Sequence, residues 1–164
     1  MAEYWDLYDK DRNKLNRRFK RGDWLQDDEY HLVINAWIKN DNNEFLIVQR
    51  SENKTYPLMW ECVGGSVTSG EGSLLGAVRE VKEELGIDIL ESEGAFIGST
   101  LRYYEGCPDI LDIWLFKSNV LISEVEFQKE EVNDAKWATI EEIKKLYKEK
   151  KFEANAFFEE VLNR

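Results

Sequence analysis

The sequence predicts a mixed α/β fold. Runs of β-forming residues occupy 31–39, 44–50, 96–104 and 109–122. Between them, Leu74, Leu75, Val78, Val81 and Leu85 recur at three- and four-residue spacings, which places them on one apolar face of a helix. Near the end of the chain, Thr139-Ile140-Glu141-Glu142 has the form of a capping box, which opens a second helix. Strands mixed with a few helices, with neighbouring strands close enough to form hairpins, point to this class.

In chain order, residues 1–29 alternate aromatic, acidic and basic residues without clear period and are expected to form an irregular arm with at most one short strand. Residues 31–39 and 44–50 flank Asp41-Asn42-Asn43, which is turn chemistry, and are expected to pair as a hairpin. Residues 51–70 hold Pro57, Gly64, Gly65 and Gly70 and read as mostly loop. The helix runs from Glu71 to a stop at Gly86. Strands at 96–104 and 109–122 are separated by Glu105-Gly106-Cys107-Pro108, and a short strand is expected at 136–139. Helices at 140–150 and 152–162 end the chain. With 164 residues and no repeat or linker, the expectation is one domain: an arm over 1–30 and the rest over 31–164.

The net charge is −11, which argues against nonspecific nucleic-acid binding and against docking on anionic lipid. No apolar run approaches the roughly 20 residues that cross a bilayer. Cys62 and Cys107 are too few for a disulfide framework, and a reducing cytoplasm is the default. His31 is the only histidine. Carboxylates are therefore the plentiful catalytic material, and oxygen-rich sites suit Mg²⁺ or Mn²⁺.

Residues 65–87, GSVTSGEGSLLGAVREVKEELGI, carry the chemistry. Glu80, Glu83 and Glu84 lie at i, i+3 and i+4 and share one helix face, where like charges repel. A divalent cation would offset that repulsion. Glu71, nine residues before Glu80, falls on roughly the opposite side of an ideal helix. It joins the cluster only if the helix starts after it and the loop curls back. Arg79 and Lys82 are close enough to brace the carboxylates.

The same segment matches G-x5-E-x7-R-E-U-x-E-E-x-G-U, with U aliphatic, at Gly65, Glu71, Arg79, Glu80, Val81, Glu83, Glu84, Gly86 and Ile87. A complete match by chance is on the order of 10⁻⁷ per chain or rarer. The chain resembles the Nudix (MutT-like) hydrolase superfamily. The resemblance implies an α/β/α sandwich with a mixed central sheet, and Mg²⁺- or Mn²⁺-dependent hydrolysis of a nucleoside diphosphate linked to another moiety. It implies Glu80, Glu83 and Glu84 as metal ligands, Arg79 as a residue that orients a glutamate, and Gly65 and Gly86 as backbone positions at the two ends of the motif. The general base is either Glu83 or a glutamate of a later loop, for which Glu130 and Glu131 are the candidates. Gly64, Gly65 and Arg50 are placed at the substrate, with Lys54 and Arg102 as further phosphate candidates and Trp37, Tyr103, Tyr104 and Trp114 as stacking candidates. The expected partner is a small diphosphate, with no nucleic acid and no membrane; homodimers are common in the superfamily.

The run from Glu29 to Glu61 narrows the resemblance to the branch that includes isopentenyl-diphosphate isomerases. In those enzymes the equivalent of His31 is a metal ligand, and a catalytic cysteine and a second histidine follow the equivalent of Trp60. Here Gly64 and Gly65 fill those two positions and the box is whole, which argues against isomerase chemistry. Cys62 reads as a small buried hydrophobe and His31 as a structural residue with one ring nitrogen hydrogen-bonded. A non-catalytic binding module is the third alternative, weakened because no box glutamate is lost.

Overall fold

The structure is a computed structural model describing residues 1–164. Nine strands form one mixed sheet: β1 Tyr4–Tyr8, β2 Lys14–Lys20, β3 Tyr30–Lys39, β4 Phe45–Arg50, β5 Trp60–Glu61, β6 Val63–Ser66, β7 Ala95–Arg102, β8 Asp109–Lys117 and β9 Val132–Ala138. The helices are α1 Ser73–Leu85, α2 Ile140–Lys148 and α3 Phe158–Leu162. Strand β3 is the hub. Along one edge it pairs in parallel with β8, from His31↔Asp109 to Lys39↔Lys117. Its other edge is shared by β1 at His31, by β6 from Val33 to Ala36, and by β4 at Lys39.

Strand β3 is apolar on both sides because both sides are covered. Leu32, Ile34, Ala36 and Ile38 join Leu46, Val48, Val63 and the buried stripe Ala77, Val81 and Leu85 of α1 in the larger core. Trp37 faces the other way, into a core with Phe45, Ile47, Cys62, Leu111, Ile113 and the α2 and α3 residues Ile143, Phe158, Val161 and Leu162. Helices thus cover both faces of a mixed sheet, the expected α/β/α arrangement. No helix is long and apolar enough to cross a membrane.

Helix α1 ends where expected. Gly86 adopts φ 68°, and its N–H donates to the Lys82 carbonyl at 2.9 Å, a left-handed cap that glycine adopts without a Cβ penalty. The capping box at α2 is complete: the Glu142 N–H donates to Thr139 Oγ1 at 3.2 Å, and the Thr139 N–H donates to Glu142 Oε2 at 2.7 Å.

Several expectations need correction. The N-terminal arm is a regular antiparallel hairpin, β1 with β2, that extends the main sheet through Leu7↔His31. Trp5, Leu7 and Phe19 bury under it with Leu25; the alternation in Trp5-Asp6-Leu7 spans too few residues to show a period. Residues 51–70 contain β5 and β6, too short to carry a pattern. Strand β8 stops at Lys117, and a 3₁₀ turn over Ile122–Glu124 follows. Strand β9 begins at Val132, earlier than expected. The last helix is only Phe158–Leu162, because Phe157 holds φ 64° and Phe152 makes a parallel bridge to Trp60.

His31 is buried in this frame. Its ring stacks on Trp5 at 4.1 Å, and Nδ1 lies 3.2 Å from the Pro108 carbonyl. Burial pulls its pKa down to about 4, although the Pro108 carbonyl favours the proton. The unfolded chain takes up that proton below about pH 6.5 and the folded chain does not. Stability therefore falls as pH drops from about 6.5 toward 4. Urea unfolding at pH 7 and pH 4.5 is expected to show wild type losing about 2–3 kcal/mol more than His31→Asn across that interval; equal losses would remove His31 as the source.

Candidate active site

The box positions its carboxylates from three elements. Strand β6 brings Gly65 under α1, and the loop from Val67 to Gly72 turns back before the helix starts at Ser73. Because the helix starts after Glu71, that side chain curls back: the Thr68 N–H and Thr68 Oγ1 both donate to Glu71 Oε2 at 3.1 Å. Asp6 of β1 pins the same loop, accepting from Ser69 Oγ and from the Gly70 N–H at 2.8 Å each.

Arg79 ties these pieces together. Its Nε donates to Glu71 Oε1 at 3.0 Å. Nη1 donates to Glu80 Oε1 at 2.9 Å and to Glu83 Oε2 at 3.0 Å, and Nη2 donates to the Ser66 carbonyl at 2.9 Å. A planar guanidinium supplies this many donors in a fixed fork. Burial acts to lower the Arg79 pKa, but Glu71 and Glu80 outweigh it and the pKa is raised. Burial likewise acts to raise the Glu71 carboxyl, and the bonds from Arg79 and Thr68 overcome it, so Glu71 is held below the usual range.

The carboxylates of α1 differ in state. Burial pushes Glu80 up to about 7, against the pull of Arg79. Glu84 is only 4% exposed. Burial pushes it up to about 8, with Lys54 opposing and Glu80, Glu61 and Glu131 adding to the rise. Glu83 is 51% exposed at the rim.

These groups open into one cavity of about 660 Å³ with no hydrophobic side chain in its lining. Arg79, Glu80, Glu83, Glu84, Glu131, Arg50, Gly64 and Gly65 all line it, as does Lys54. Glu131 pairs with Lys54. Arg50 Nη1 donates to both Glu61 oxygens, at 2.8 and 3.0 Å, and its Nε donates to the Thr55 carbonyl at 2.6 Å. Other sequence candidates lie elsewhere. Glu130 is outside the lining and gives only its backbone carbonyl to Ser51 Oγ. Trp37 is in the second core. Trp114 accompanies Phe96 in a groove beside Ser73. Tyr103 packs edge-on to Tyr30. Arg102 and Tyr104 line a neighbouring cleft. The arm adds Glu3 and Arg21, ion-paired at 2.9 Å, to the cavity wall. No motif marks these two, since only the hairpin register brings residues 3 and 21 together.

The donor set fits a hard divalent ion, because it is all oxygen and the buried Glu84 makes no ion pair. Gly65 leaves room for the Glu80 carboxylate: a Cβ there would stand 2.1 Å from Glu80 Cδ. The acidic side chains do not converge as a ready three-ligand cluster. Arg79 stands between Glu80 and Glu83, so one ion shared by both requires Arg79 to yield some of its bonds.

A family model described as NUDIX domain matches residues 29–160. An uncharacterized Nudix hydrolase of Listeria monocytogenes is 34% identical over 163 residues, covering 98% of this chain and 94% of its own. The isopentenyl-diphosphate Delta-isomerase of Klebsiella pneumoniae is 28% identical over 120 residues, covering 70% of this chain and 64% of that protein. The crystal structure of a Deinococcus radiodurans protein superposes with a TM-score of 0.76 at 21% identity, covering 98% of each chain; that likeness is one of fold.

Burying the Glu84 charge costs stability that a neutral isostere does not. In metal-free protein at pH 8, Glu84→Gln is expected to melt on the order of 5 °C above wild type. Scanning calorimetry in the presence of a chelator checks this, and a lower melting temperature would contradict it.

Proposed function

Because this chain belongs to the NUDIX domain family and is a hydrolase, we propose that it cuts the diphosphate linkage of a nucleoside diphosphate-X substrate with the help of Mg²⁺ or Mn²⁺. Nudix hydrolases generally use divalent metals and cleave pyrophosphate bonds. The observation that carries the finer reading is the one polar cavity in which the partly buried Glu80 and the buried Glu84 meet Glu83, Arg50 and Lys54.

Each residue's part follows from its surroundings. Glu84 is a buried carboxylate and Glu80 a partly buried one, whose charges are costly without a cation, so with Glu83 they would hold the divalent ion. When bound, that ion neutralises diphosphate charge and acidifies water. Arg79 orients Glu80 and Glu83 and stabilises the loop through Glu71 and Ser66. Lys54 and Arg50 line the cavity and carry donors suited to phosphate oxygens. Glu83 accepts the proton of the attacking water, because it is the box carboxylate with most access to the opening. Glu131, tied to Lys54, is the second candidate.

An isomerase-like reading finds less support. Cys62 is buried in the second core and burial pushes its thiol well up. His31 is absent from the cavity lining. A non-catalytic module finds less still, since every box glutamate is retained.

With Mg²⁺ and a panel of nucleoside diphosphate compounds, Glu83→Gln is expected to lower kcat about 10²–10⁴-fold while circular dichroism stays unchanged. Glu131→Gln should lose much less, and the reverse order would move the base to Glu131. Chelation should abolish formation of the nucleoside monophosphate, and added Mg²⁺ or Mn²⁺ should restore it; turnover that survives chelation would refute metal dependence.

A further inference from the structure

A separate pocket, of about 550 Å³, lies between the segment joining β2 to β3 and the turn joining β7 to β8. It shares no lining residue with the carboxylate cavity. Backbone bonds hold its frame. The Leu25 N–H donates to the Gly106 carbonyl at 3.0 Å, and the Glu29 N–H donates to the Gln26 carbonyl at 3.2 Å. Gly106 adopts φ 73°. A Cβ there would stand 2.5 to 2.6 Å from three carbons of the Trp24 indole, so the indole face lies against the turn.

Four aromatic rings line this pocket: Trp24, Tyr30, Tyr103 and Tyr104. Tyr103 stands edge-on to the buried Tyr30 at 6.0 Å. Trp24 is 70% exposed, Tyr103 74% and Tyr104 54%. Rings this open leave apolar surface that a ligand would gain by covering. The charged residues of the lining are Asp27, Asp28 and Glu105, all exposed, and none is basic. Neighbouring cations are spent elsewhere: Arg17 on Glu29, Arg21 on Glu3 and Arg102 on Asp109. The three carboxylates therefore keep their charges unpaired.

Aromatic faces attract cations through the ring quadrupole, and the carboxylates repel anions. The occupant that fits carries positive charge and apolar surface together. A metal ion has no apolar surface, and a single quaternary ammonium matches only one of three charges. We propose that this pocket binds an aliphatic polyamine, whose methylenes cover the rings while its ammonium groups meet Asp27, Asp28 and Glu105. This site stands independently of any reading of the carboxylate cavity.

A net charge of −11 attracts any polycation, so the test separates the pocket from the surface as a whole. Spermidine is titrated calorimetrically into the full chain, with Mg²⁺ in excess so that carboxylates elsewhere are already screened. Wild type should bind one spermidine. Trp24→Ala, which leaves the charge unchanged, should weaken binding about tenfold or more. Asp27→Asn with Asp28→Asn should weaken it about tenfold and flatten its dependence on salt. Glu160→Gln removes an exposed charge outside the pocket lining and should change binding less than twofold. Hexanediol, a neutral analogue, should not bind. Trp24→Ala that binds like wild type, or equal losses from Glu160→Gln and the aspartate pair, would reduce the attraction to bulk charge and overturn the proposal. Tighter binding of trilysine than of spermidine would overturn it in favour of a basic peptide. Circular dichroism verifies each fold. If Trp24→Ala does not fold, Tyr103→Ala takes its place, with a loss of several-fold expected and unchanged binding counting against the pocket.

Discussion

One guanidinium, that of Arg79, joins the strand, the loop and the helix of the box. Its three nitrogens reach the loop carboxylate Glu71, the helix carboxylates Glu80 and Glu83, and the Ser66 carbonyl at the end of β6. One side chain thus touches the strand, the turn and the helix of the box, beside the grip of Asp6 and Thr68 on the turn. Its charge also lets carboxylates sit close together before any metal arrives. A lysine would not replace it, because a point charge with rotating donors cannot span three directions at once. The same bonds set a conflict: Arg79 competes for the oxygens a cation would use. The site is thus an ion-pair network whose bonds would be partly exchanged if a cation bound there.

The backbone supplies the second constraint. A strand presents successive residues to opposite faces, and β6 places glycine at two consecutive positions. Gly65 yields its space to the Glu80 carboxylate and Gly64 to the Asn35 amide. Side chains at either point would push apart the groups that the cavity and its neighbouring cleft are built from. Two adjacent glycines in a strand are costly in conformational entropy, and here each has a specific contact that explains it.

Legibility in the sequence follows the length scale of each pattern. The box helix, its Gly86 stop, the capping box at Thr139 and the β3–β4 hairpin each announce themselves through short local rules. The curl of Glu71 onto Arg79 was readable as a condition, since an ideal helix would have put the two carboxylates on opposite sides. What escaped was set by long-range pairing. The arm's register brings Glu3 beside Arg21 only once β1 and β2 are formed, and β1 is held by two pairs to β3. Likewise the truncation of α3 comes from Phe157, whose ring closes over Gly98 of β7; a Cβ on Gly98 would stand 2.5 Å from Phe157 Cζ. That contact favours a left-handed backbone which helical periodicity alone would not suggest.

The arm's place at the site follows from where its charges are spent. Among its basic residues, Arg12 pairs with the buried Asp112, Lys14 with Asp6, Arg17 with Glu29 and Arg21 with Glu3. Each pair ties the hairpin to itself, to the sheet or to the segment that leads into β3, so a segment that reads as an irregular arm is anchored through its own charges. Asp6 then carries the constraint into the box by gripping Ser69 and Gly70, and the Ser69 N–H donates to the Tyr4 carbonyl at 2.8 Å. Glu3, beside the first of these anchors, faces Arg79 and raises Glu80 further. The hairpin is therefore a wall of the carboxylate cavity and a clamp on the loop that delivers Glu71, so that loosening it perturbs the carboxylates without touching any residue of the motif.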